Sequence, residues 1–118
     1  EITEILLELL EVAQDLGEAK RMRSYSKRVL YNLNAAGVSD SVQMGGVHIS
    51  LAMAEIMLGN AIPANKNLER AIELYETHLP PDDSKLLDLY AFAADAFEQT
   101  GRPGLARKCR RKLKESES

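Results

Sequence analysis

Few residues in this chain could carry covalent or metal chemistry, and their spacing does not bring them together. The single cysteine, Cys109, falls on a four-residue stripe with Leu105 and Leu113, the pattern of a small buried apolar residue. Its basic neighbours Arg107, Lys108 and Arg110 are of the kind that lower a thiol pKa, which leaves a redox role open. His48 and His78 stand 30 residues apart with no second His or Cys at i+3 or i+4, so packing or capping is expected rather than metal binding. The pairs Glu69/Glu73 and Asp88/Asp95 read as solvated helix faces, without the apolar surroundings that would tune one carboxyl as an acid. Gly45-Gly46 lacks the Lys-Ser or Lys-Thr of a phosphate loop. No enzyme, metal or cofactor site is expected.

Charge is the other candidate. Residues 83–118 hold eight basic and six acidic side chains, a net of +2, whereas residues 1–82 are net −5. The run Arg107-Lys108-Cys109-Arg110-Arg111-Lys112-Leu113-Lys114 could grip phosphates of a nucleic acid or an anionic surface. Without interleaved aromatic residues to stack on bases, it reads first as a solvated last helix whose cations suit its negative end.

The elements that would position these groups follow from length and pattern. A chain of 118 residues makes one domain, with 45% hydrophobic and 28% charged residues typical of a folded one. One cysteine excludes an internal disulfide, and no apolar run approaches the ~20 residues of a membrane span. With no signal peptide and Glu1 at the start, the sequence is expected to be a piece of a longer intracellular, cytoplasmic protein.

Gly17, Gly59 and Gly101 recur at an interval of 42, as do Asp40 and Asp82. Each glycine follows an apolar stretch and precedes a more charged amphipathic one, the mark of a repeat array. Apolar residues such as Leu86, Tyr90, Ala93 and Phe97 recur at steps of three and four, and alternating strand patterns are almost absent. The pattern predicts an all-α chain of six helices near 2–16, 18–36, 41–58, 61–79, 83–100 and 103–115, paired as antiparallel hairpins in units of about 1–40, 41–82 and 83–118. Asp40 with Gln43 is expected to form a capping box, Asp82 or Asp83 to cap the fifth helix, Gly37 to end the second, and Pro80-Pro81 to stop the fourth. Gly45-Gly46, costly inside a helix, points to a third helix starting after Gly46, or else to a close approach there.

The register of large and small residues resembles the tetratricopeptide repeat family. The third unit has Tyr90-x2-Ala93-Ala94-x2-Phe97 before Gly101 and Ala106. The second has His48-x2-Leu51-Ala52-x2-Glu55 before Gly59, and the first has Leu6-x2-Leu9-Leu10-x2-Ala13 before Gly17. The interval of 42 is similar to the longer repeats of kinesin light chains; Glu55, Ser26 and Arg110 depart from the large apolar or aromatic residues usual at their places. The resemblance implies a right-handed superhelical solenoid of three hairpins acting as a scaffold that binds a partner peptide or helix in a concave groove lined by the first helices.

Carried over by register, that groove would hold Leu7, Glu11 and Gln14, then Ile49, Met53, Ile56 and Met57, then Asp88, Ala91, Asp95 and Glu98. The methionines read equally as core packing. The family's carboxylate clamp is missing, because Glu11, Ser50, Met53, Asp88 and Phe92 occupy its places. An apolar floor with acidic edges suits an apolar segment bordered by Lys or Arg. Self-association through the ends of the array is the alternative, followed by RNA or anionic-surface binding through the basic last helix.

Overall fold

The computed structural model describes residues 2–117; Glu1 and Ser118, the ends of the expected domain, lie outside them. Six helices follow one another, with no strand among the described residues: α1 (Ile2–Asp15), α2 (Ala19–Ala35), α3 (Val42–Met57), α4 (Ala61–His78), α5 (Ser84–Gln99) and α6 (Pro103–Ser116). The predicted all-α class and helix order hold. The closest packing is between sequential neighbours within α1 to α4 and between α5 and α6, while α4 meets α5 over a shorter stretch. This local, repeat-like packing runs along a body 43 Å long and 30 by 22 Å across.

The 42-residue interval has a structural cause. Gly17, Gly59 and Gly101 all adopt left-handed backbone, with φ of 68°, 79° and 81°. Each closes the same turn: the next residue's N–H reaches back five positions, from Glu18 to Ala13, Asn60 to Glu55 and Arg102 to Phe97, at 2.7–2.9 Å. An L side chain at these positions would be strained, so glycine marks the point where each hairpin reverses.

Two expected boundaries need correction. Asp40 does not cap α3. Ser41 does, its hydroxyl accepting from Met44 N–H at 3.1 Å, while Asp40 instead meets His78 Nε2 at 2.8 Å. Nor does α3 wait for Gly46: it begins at Val42, and Gly45 is buried within it. A Cβ on Gly45 would lie 2.7 Å from two ring carbons of Tyr75, so the close approach of α4 is what requires glycine. Asp83 caps α5 as expected, accepting from Lys85 N–H at 2.8 Å, and α4 ends at His78 just before the prolines.

The core runs from hairpin to hairpin. Leu6, Val29 and Leu33 of the first pair meet Met44, Val47 and Leu74 of the second. Ala52, Leu68, Ala71 and Tyr75 then join Leu86, Leu89, Tyr90, Phe97 and Cys109 of the third. Burying such side chains is worth roughly 1.5–3 kcal/mol for each large one, which no single hairpin could gather alone. Polar ties reinforce the same seams, among them Gln14 with Ser50 and Asn65 with Thr100.

Candidate functional site

The residues expected to line a groove come from α1, α3 and α5. On α3, Ile49, Met53, Ile56 and Met57 fall on one side of the helix at steps of three and four. Ile49 and Ile56 are half-buried against the larger core, and Met53 is half-buried against the cluster of Leu10, Ala13, Met22 and Ala54. Met57 remains 52% exposed and reaches the first turn, its methyl 3.9 Å from where a Gly17 side chain would begin. The opposite side of α3 is fully buried through Met44, Val47, Leu51 and Ala54. The methionines thus divide the two roles: Met53 packs and Met57 is open.

The structure brings the α1 and α3 parts of this set together. Ser50 Oγ donates to Gln14 Oε1 at 3.1 Å, a single polar tie between the two helices on the face in question. Leu7 is half-buried against the core and Glu11 is exposed. On α5, Asp88, Ala91, Asp95 and Glu98 are all exposed. Asp95 and Glu98 are already engaged, because Arg110 from α6 reaches across at 3.5 and 2.6 Å. That guanidinium holds the Glu98 carboxyl below its ordinary range, first by hydrogen bonding and then by its charge. The acidic edge read from the sequence is therefore an ion-paired one, and Arg110, which departs from the family pattern, is what pairs it.

The second departure, Glu55, is 2% exposed at the place of a large apolar residue. Its carboxylate takes Arg23 Nε at 3.0 Å from α2 and Asn60 Nδ2 at 3.1 Å. A charged plug thereby joins the first and second units where the pattern leads one to expect an apolar one. The third, Ser26, is wholly buried.

A concavity lies elsewhere. A cleft of about 430 Å³ opens between α4, α5 and α6, and none of the eleven expected residues lines it. Ile72, Phe97 and Leu105 form its floor, Glu69, Glu73 and Glu76 one wall, and Lys108 and Lys112 the other. Tyr90 donates to Glu76 Oε2 at 2.5 Å, and Lys112 donates to the same oxygen at 3.1 Å while lying 5.8 Å over the Tyr90 ring. Burial opposes charge on Glu76, but these two donors outweigh it and hold the carboxyl below its usual range. Burial and the partnership with Glu76 push Tyr90 upward. The visible signal in the sequence was the acidic row at 69, 73 and 76 matching the lysines at 108 and 112, but nothing in it says that the two rows face each other.

The remaining candidates resolve structurally. Cys109 is buried, and its thiol is pushed up by burial and then by Glu76, against the pull of Lys108, Lys112 and Arg110, so the basic neighbours do not activate it. His48 Nδ1 bonds Asn67 Oδ1 at 2.8 Å, and Asn67 donates its own amide to the Pro63 carbonyl at 2.8 Å. No group of three metal-binding side chains occurs among the described residues, and no helix there is long and apolar enough to cross a membrane. No family model matches the chain, and no curated protein is found to be related to it.

Proposed function

We propose that the chain is a non-enzymatic protein-interaction scaffold of the tetratricopeptide kind: a right-handed solenoid of three hairpins that holds a partner peptide or helix along the face shared by α1, α3 and α5. The observation that carries this reading is the open side of α3. A helix packed between neighbours on both sides of the chain leaves Ile49, Met53, Ile56 and Met57 partly or largely uncovered, beside the Gln14–Ser50 bond that joins α1 to it. Apolar surface of this kind rimmed by polar groups suits a partner that brings its own apolar side chains. Flexible methionine at the rim suits an adaptable fit.

The identical glycine turns and the seam-by-seam core support the repeat arrangement. Two of the cations on α6 are committed within the fold, Arg110 to α5 and Lys112 to Glu76, which favours a structural reading of that helix over a phosphate-binding one.

Peptides selected by display against the immobilised chain test the reading. Enriched sequences should carry spaced apolar residues bordered by Lys or Arg, and Ile56→Glu or Met57→Glu should weaken them at least ~10-fold. Arg110→Ala, which frees Asp95 and Glu98, should tighten the basic-bordered ones. Selected peptides indifferent to all three substitutions would remove the groove.

A further inference from the structure

The first helix has a second apolar face that neither the core nor the groove uses. Ile2, Ile5, Leu9, Val12 and Leu16 are 41–67% exposed, and they account for most of the large hydrophobic residues open to solvent among those described. Leu16 lies just past α1 and is held in its register by its N–H on the Val12 carbonyl, at 3.0 Å. The steps along this row are three, four, three and four. That is the seam spacing by which one helix accepts the side chains of another. At 3.6 residues per turn the row faces away from Leu7 and Gln14, so it is separate from the proposed groove. Leu6, Leu10 and Ala13 fill the core from a third side.

The charge beside this row selects its occupant. Glu4, Glu8, Glu11 and Asp15 follow along the exposed flank, and α1 carries no basic residue. A second copy of α1 would set carboxylates against carboxylates. An anionic lipid surface would be repelled. The α6 of a second copy has the opposite charge, but Leu105 and Leu113 are packed against its own core and cannot supply the matching side chains.

We propose that the Ile2–Leu16 face of α1 is a docking site for an amphipathic partner helix that has large apolar residues at alternating three- and four-residue steps and Lys or Arg along their border. The apolar row supplies the contact, and the acidic flank sets the orientation and rejects acidic helices.

The probe is a synthetic helical peptide of about three heptads, with leucine at the seam positions and lysine at the bordering ones, labelled and titrated with the full chain by fluorescence anisotropy. A twin peptide carries glutamate in place of lysine. The lysine peptide should bind saturably and the glutamate peptide at least ~10-fold more weakly. Ile5→Ser with Leu9→Ser should cost the lysine peptide a similar factor, with circular dichroism and melting confirming that this variant stays folded. Glu4→Lys with Glu8→Lys should reverse the preference between the twins. The proposal is overturned by absence of saturable binding, by equal binding of both peptides, or by binding that survives the serine pair. Sedimentation showing that the chain alone dimerises, and that the serine pair abolishes this, would also overturn it in favour of a second copy.

Discussion

Two adjacent glycines offer the sharpest test of how closely α3 and α4 approach. In a helix interior, alanine is favoured over glycine by roughly 1 kcal/mol. At Gly46 a new methyl would lie 3.6 Å from Tyr75 Oη, an ordinary contact, so Gly46→Ala should stabilise the fold by about 0.5–1 kcal/mol. At Gly45 the methyl would stand 2.7 Å from the Tyr75 Cδ1 and Cε1 atoms and 3.4 Å from the Leu74 Cβ. Ordinary carbon contacts sit at roughly 3.5–4.0 Å, so the ring must yield by close to ~1 Å. Tyr75 is 8% exposed and packed in the larger core, so it has little room to do so. Overpacking of this kind costs about 1–3 kcal/mol, which outweighs or cancels the helical gain. The two variants should differ by about 1–3 kcal/mol in urea unfolding, with Gly46→Ala the more stable. In a Tyr75→Leu background the Gly45→Ala penalty should vanish. If Gly45→Ala is as stabilising as Gly46→Ala, the close packing of α4 on α3 is wrong.

Three further outcomes are expected. Arg23→Ala should destabilise by about 1–3 kcal/mol, because it strips the cation from a buried Glu55, whereas Arg23→Leu with Glu55→Leu should be near neutral by thermal melting. His48 is held below its ordinary 6.5, chiefly by burial. The unfolded chain therefore takes up that proton first, and stability should decline as the pH falls below about 6.5; His48→Gln should flatten this part of the curve. Cys109 should react with a thiol reagent in native buffer only at the rate of opening, and fully in denaturant, because burial and Glu76 both oppose its thiolate.

What the sequence made legible was whatever repeats or is local. The interval of Gly17, Gly59 and Gly101 recorded three identical reversals of the chain, and helical spacing around Leu86 to Phe97 recorded a buried stripe. Asp83 capped its helix from two residues away. Pairings between helices were not legible. The reason for Gly45 is an aromatic ring 30 residues further on, and Glu55 looked anomalous until Arg23 came to it from α2. Asp95 and Glu98 looked like a free acidic edge because their partner, Arg110, lies on the next helix. Asp40 was the cap read from the sequence, but the role falls to its neighbour Ser41 because His78, 38 residues further on, takes up Asp40. The apolar surplus of α1 was visible in its composition, but which of its leucines face the core depends on where α2 and α3 pack.

The groove itself is best tested by mapping. A display-selected peptide added to the isotope-labelled chain should shift the backbone amide signals of Gln14, Ser50, Met53, Met57 and Ala91 together, tracing one continuous face across α1, α3 and α5. Shifts confined to the α4–α6 cleft around Glu76 and Lys112, with that face silent, would contradict the account.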